Sequence, residues 1–205
     1  MASTGTSGKA ARLVLRRRLD IARRGAELLS RKRQALLAEQ RLMRDAAAAA
    51  AAEWTEAVAD AERWLVRAAL LDGASEAARI AGYAAPPELT VAWESLMGTI
   101  RPRITRLEQG PTPHVSSLGG SSALHFAAAA YRRATRAAAS QAATQIALES
   151  VSRELAAVAR RARAIERRWI PRHEADLAAL ELSLEETDRE EAARLRQLAR
   201  RRGGG

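Results

Sequence analysis

Apolar residues recur along the first third of the chain at steps that alternate between four and three. From Leu15 the series runs Leu19, Ala22, Ala26, Leu29, Arg33, Leu36, Gln40, Met43, Ala47, Ala50, Trp54, Ala57, Ala61, Trp64, Ala68 and Leu71, and only Arg33 and Gln40 among its seventeen positions are polar. A mean period of 3.5 held for eight heptads indicates a left-handed coiled coil, not a globular amphipathic helix. The pattern predicts a first helix over 10–72, on the order of 90 Å long at about 1.5 Å per residue.

A second series lies towards the other end, at Leu148, Val151, Leu155, Val158, Ala162, Ile165 and Trp169, then at Leu177, Leu180, Leu184, Leu195 and Leu198. It predicts a second helix over 122–202, on the order of 120 Å long. The series falters between Trp169 and Leu177, where Pro171 sits. Proline in a helix interior removes one backbone hydrogen bond and costs about 3 kcal/mol. A kink is therefore expected at Pro171, with packing against the first helix offsetting it.

Helix breakers separate the two arms. Five of the six prolines and six of the twelve glycines fall between Gly73 and Gly120, and only Gly25 and Pro171 interrupt the arms. Residues 73–121 thus form a connector, and 1–9 and 203–205 read as disordered tails. Within the connector, LTVAWES and TIRPRITRL flank Met97 and Gly98, which predicts a β-hairpin near 89–107. Pro102 restricts its strand to an edge or a bulge. QGPTPHVSSLGGSS reads as loop, with Ser121 or Ser122 as the cap of the second arm.

Charge decides how the arms pair. Between Arg12 and Arg33 stand nine positive residues against Asp20 and Glu27, and between Glu174 and Glu191 stand eight acidic residues against Arg189. An antiparallel intramolecular pair sets these segments side by side, whereas a parallel homodimer stacks Arg16, Arg17 and Arg18 on themselves. The expected fold class is all-α: a long antiparallel two-helix coiled coil with a short β-hairpin and loop connector.

Composition narrows the function. Alanine supplies much of the 47% hydrophobic fraction and aromatics only 3%, so a thick globular core is not expected. The net charge of +10 invites nucleic acid, an anionic membrane surface or an acidic protein. The chain has no cysteine, hence no disulfide framework. Its longest purely apolar run, Ala46 to Ala52, is too short to span a bilayer, and MASTGTSGKAARL lacks the apolar centre of a secretory signal. These features read as a soluble cytoplasmic protein.

Catalytic motifs are missing. SLGGSS lacks the lysine of a phosphate-binding loop, and His114, His125 and His173 lack metal-ligand spacing. Glu185, Glu186, Asp188, Glu190 and Glu191 read as a solvated or salt-bridged face, not an acid/base site. The polyalanine run suits close approach of the helices, and Trp54 and Trp64 read as thick knobs in a thin interface. Trp169 beside Pro171 is the better candidate for an outside contact.

ARLVLRRRLDIARRGAELLSRKRQALLAEQ, with Leu28, Leu29, Lys32 and Arg33 at its core, resembles the amino-terminal signature of the D subunit of V-type and archaeal-type rotary ATPases. IERRWIPRHEADLAALELSLEETDREEAARLRQLARR resembles the carboxy-terminal one, through Ile170, Pro171 and Arg172, then Asp188 to Glu191, then Arg194, Leu195 and Arg196. The resemblance implies a non-catalytic central shaft, without cofactor or metal, that carries torque between the nucleotide-binding ring and the ion-translocating ring in the membrane. It implies both termini inside the ring of A and B subunits, the F subunit on the side, and a funnel-shaped subunit of the membrane rotor at the opposite end. Peripheral attachment to the membrane follows, without insertion or direct nucleic-acid contact.

Under this reading Arg12, Arg16, Arg17, Arg23, Arg24, Arg194, Arg196 and Arg200 are the expected contacts to the catalytic ring. Leu15, Leu19, Leu29, Leu36, Met43, Trp54, Trp64, Leu155, Ile165, Trp169, Leu177, Leu180, Leu184 and Leu195 are the expected seam. Gln40, Ala192 and Ala193 depart from the pattern, which tends to have an aromatic or bulkier residue there. A basic coiled coil that binds nucleic acid is the alternative, with steep salt dependence as its mark. The acidic stretch opposite the basic arm argues against it.

Overall fold

A computed structural model describes residues 3–96, 98–110 and 120–202. Helix α1 spans Ser3–Asp72 and α2 spans Ala74–Ala81. Strands β1, Glu88–Leu96, and β2, Thr99–Glu108, form a two-stranded antiparallel sheet. Helix α3, Ser122–Ala164, continues through a π-helical turn, Ile165–Trp169, into α4, Ile170–Arg202. The fold is all-α with a β-hairpin inserted between long helices, as the 4-3 repeat and the clustered breakers require. Helix α1 starts at Ser3 where the apolar repeat places the start at residue 10, since no proline opposes helix in between. Met97 and His114 lie outside the described residues.

The chain divides into two compact units. The first joins Met1–Gln34 to Ala156–Gly205, and the second is Ala35–Leu155.

In the first unit Leu19, Ala26, Val158 and Ala162 are buried, and Leu15, Ala22, Leu29 and Ile165 are half-buried. These are a and d positions of the repeat. Arg16 Nη2 lies 2.6 Å from Glu181 Oε1, and Arg23 Nη2 lies 2.8 Å from Glu174 Oε1. A step of seven forward on α1 matches a step of seven back on α4, which is the signature of an antiparallel pair. Both ion pairs are exposed, so each contributes at most about 1 kcal/mol, and their role is to select orientation.

In the second unit Leu36, Ala47, Ala50, Ala61 and Ala68 of α1 are buried, and so are Ala127, Ala130, Ala134, Ala137 and Val151 of α3. Both series keep the 4-3 phase. Ala61, Ala130 and Ala134 form one buried cluster, with Ala57, Val58 and Trp64 packed against it. Gln40 donates to Ser152 Oγ at 2.9 Å, a polar layer of the kind that pins coiled-coil register. Asp60 Oδ2 accepts from Arg133 at 2.6 Å.

Asp72, the last residue of α1, accepts from the backbone N–H and hydroxyl of Ser121. Ser121 Oγ in turn accepts from the Leu124 N–H and caps α3, the role expected of Ser121 or Ser122. Gly73 ends α1 with φ 87°, a conformation costly for any residue with a Cβ. Helix α2, not expected in the connector, buries Ala77 and Ile80 against Ala68, Ala123 and Leu124.

The hairpin turns at Gly98, φ 80°, beside the expected Met97. Trp93 faces Pro102 in the register, and a bulge falls between Thr90 and Val91. With only two strands both are edges, which is where proline is tolerated. Arg101 ties the hairpin to Glu39 of α1 at 2.9 Å. Gln109 Nε2 donates to the Arg132 carbonyl, and the Arg132 guanidinium donates to the Gly110 and Gln109 carbonyls. Leu89, Trp93 and Ile100 remain exposed.

Candidate functional site: the helix seam, the proline turn and the arginine faces

The proline turn shows how the chain passes Pro171 without ending the helix. The Ile170 N–H donates to the Ile165 carbonyl, an i to i−5 bond, so the turn before the proline is wider than an α turn. An α-helical proline meets the carbonyl four residues back. The wide turn moves that carbonyl aside, and the helix resumes as α4 from Ile170 with Pro171 at its second position. A π turn thus ends two residues before Pro171, the position at which the sequence predicts a kink.

A π turn inserts one residue into the helical phase. Continued from Ile165 by steps of four, three and four, the seam would fall on Trp169, Arg172 and Asp176. The half-buried positions are instead Ile170, His173, Leu177, Leu180 and Leu184, each one residue later. The turn therefore returns the leucines of α4 to the packed face. Its signal in the sequence is the single surplus residue between Trp169 and Leu177.

Displaced from the seam, Trp169 is 59% exposed and meets the His173 ring edge to face at 5.9 Å. His173 Nδ1 lies 3.8 Å from Asp176 Oδ2 without a hydrogen bond.

Leu155 is half-buried as expected, and so are Met43 and Trp64. Three expected seam residues stand outside the packing. Trp54 is 40% exposed although it keeps the phase of the seam. Trp169 is excluded by the π turn. Leu195 is 67% exposed. Leu71 is exposed as well, where the Asp72 and Ser121 contact closes the helix pair. Trp64 is the thick knob of the second unit, stacked on Phe126 at 4.7 Å, with the Arg67 guanidinium 4.6 Å from the indole centroid.

The eight arginines expected to face a ring divide by environment. Arg16 and Arg23 are engaged by Glu181 and Glu174. Arg194 lies 3.6 Å from Glu190, and Arg196 Nε donates to the Ala192 carbonyl of its own helix. Arg12 is half-buried with its Nε unpartnered, while Arg17, Arg24 and Arg200 are exposed. A denser arginine group, absent from that set, surrounds the π turn.

No group of three or more candidate metal-ligating side chains occurs among the described residues. A hydrogen bond from Arg79 holds the Glu76 carboxyl below the ordinary carboxylate range. No described helix is long and apolar enough to cross a membrane. The second unit does hold an apolar cavity of about 770 Å³ walled largely by alanines, with Leu65, Ile80 and Leu124 among its lining. Short α2 and the hairpin end create it, and neither has a periodicity long enough to foresee it.

The geometry defines a class of protein: a helical hairpin built to hold two long helices antiparallel, with a small sheet between them. The family model for the ATP synthase D subunit matches residues 11–200. The D subunit of the A-type ATP synthase of Archaeoglobus fulgidus is 30% identical over 189 residues, covering 90% of each chain. The D subunit of the V-type ATP synthase of Anaeromyxobacter sp. is 29% identical over 198 residues, covering 93% of this chain and 90% of the relative. Its A-type counterpart in Halorubrum lacusprofundi is 29% identical over 186 residues, 88% and 81% of the two chains. The chain belongs to the family of ATP synthase D subunits, and so to the multi-subunit V/A-type ATPases.

Proposed function

We propose that the chain is the central shaft of its complex, a non-catalytic subunit that carries torque between the nucleotide-binding ring and the ion-translocating ring of the membrane. The observation that carries this reading is the antiparallel pairing of α1 with α4, with matched ion pairs seven residues apart on each helix. A lone helix twists and bends easily. Two helices locked through a knobs-into-holes seam must slip side chains out of their holes to do so, and a rotary element needs that resistance.

In this reading the A and B subunits surround the ends of the chain, the F subunit lies along the side, and a funnel-shaped subunit of the membrane rotor takes the connector end. The chain sits peripherally at the membrane and holds no cofactor, since nucleotide chemistry belongs to its partners. The polar layer at Gln40 and Ser152 supports the reading, because a sliding register would dissipate torque.

Because the chain has no cysteine, Ser95→Cys at the exposed hairpin gives a single labelling point for a bead. With the nucleotide-binding ring fixed to a surface, ATP should drive stepwise rotation of that bead in one direction. A bead that stays still while the assembled complex hydrolyses ATP would contradict the shaft function.

A further inference from the structure

Six arginines, Arg160, Arg161, Arg163, Arg167, Arg168 and Arg172, fall within thirteen residues around the π turn, against one acidic residue, Glu166. All six are exposed. Among the described residues none of them has an ion-pair partner, in contrast to Arg16 and Arg23, and Arg163 donates only to the Ala159 carbonyl of its own helix. Arg160, Arg161 and Arg163 occupy the outer positions of the heptad whose inner positions are Val158, Ala162 and Ile165. Trp169, turned outward by the extra residue of the π turn, lies between Arg168 and Arg172 in the sequence and is exposed like them.

Like charges at this density repel one another, so the collar disfavours the isolated chain and gains when an anionic surface covers it. Arginine and tryptophan are also the residue types in which interface energy concentrates.

Charge further along the same unit selects the kind of partner. Glu185, Glu186, Asp188, Glu190 and Glu191 are all exposed, with Arg189 alone among them and already 3.4 Å from Glu185. They begin about 20 Å along the helix from Arg172, at about 1.5 Å per residue. A nucleic-acid backbone or an anionic bilayer lying on the collar extends into this acidic stretch and is repelled there. A compact acidic protein surface, no wider than the collar, is not.

We propose that the arginine collar and Trp169 form the docking surface for an acidic loop of a neighbouring subunit, with the π turn serving to present the tryptophan. This rests on the chain being a subunit at the centre of its complex. It replaces Arg16 and Arg23, already paired within the chain, as the main contacts.

The test uses the complex isolated from cells lacking this subunit, with purified full-length chain added back. Binding should weaken at least tenfold for Trp169→Ala and at least a hundredfold for Arg167→Glu with Arg168→Glu, and wild-type binding should fall steeply with salt. Arg41→Glu with Arg44→Glu, the same charge change at exposed positions of α1 outside the collar, should weaken it less than tenfold. Circular dichroism should match wild type for every variant, since the altered side chains are exposed. Unchanged binding by the collar variants overturns the collar as the docking surface and leaves the shaft function standing. Failure of the wild-type chain to bind the complex overturns both. Collar-dependent binding to duplex DNA or phosphatidylserine vesicles, with binding to the complex unaffected, assigns the collar to another partner and overturns the proposal.

Discussion

Ala61→Leu is expected to destabilise the protein by about 2 kcal/mol, within the range for overpacking a filled core. Ala61 and Ala130 are both 0% exposed and meet in one cluster with Ala134. An isobutyl group at Ala61 has no cavity to enter and must push the helices apart. That separation also strains the neighbouring Asp60 and Arg133 pair, 2.6 Å long. Because the helices are continuous, the effect spreads along the seam. Thermal unfolding should show the melting temperature lower by about 4–8 °C for a chain of this size. Leucine at exposed Glu62, one residue away, should leave it within about 2 °C, since surface changes stay within about 0.5 kcal/mol. Equal stability of the two variants would show that the alanine contacts are loose.

The second expected result concerns the π turn. Inserting one alanine after Trp169 should rotate everything beyond it by about 100° and carry Leu177, Leu180 and Leu184 off the packed face. Each is half-buried, so the combined loss is about 3 kcal/mol, concentrated in the first unit. Hydrogen exchange of the amides between Leu177 and Leu184 should accelerate more than tenfold. Deleting Trp169 in a Pro171→Ala background should have little effect, because a plain α-helix then reaches the same phase without the extra residue. Deleting Trp169 with Pro171 kept should cost about 3 kcal/mol, the penalty of proline in an α-helix interior. A protein indifferent to the insertion would refute the role of the turn in setting the phase.

The readable parts of the fold were those with long repeats. From Leu15 to Ala68 the 4-3 series foretells burial at nearly every step, because a two-helix seam admits only one face of each helix. The orientation was legible because Arg16 and Arg23 need carboxylates opposite, and Glu181 and Glu174 supply them. Single-residue events were harder to read. Trp54 keeps the phase of the seam and is still exposed. The π turn hides because one inserted residue looks like an ordinary break in the pattern beside a proline. Helix α2 is eight residues long, too short for a period to declare itself.

Of the candidate site, the arginines were visible as charge, but their pairing was not. Exposed side chains on a coiled coil differ mainly in what stands across the interface, and that depends on register. Arg16 and Arg23 meet carboxylates, whereas the six arginines around the π turn meet none among the described residues.

In the first unit the two ends of one chain run antiparallel against each other. Nitroxide labels at Arg24→Cys and Arg172→Cys, exposed and both in the first unit, report it directly by pulsed electron resonance. Helices packed about 8–10 Å apart, with two label arms, predict one narrow distance below about 30 Å. That distance should persist when labelled chain is diluted with an excess of unlabelled chain. A broad distribution, or a signal that vanishes on dilution, would mean that these helices pair between molecules or not at all.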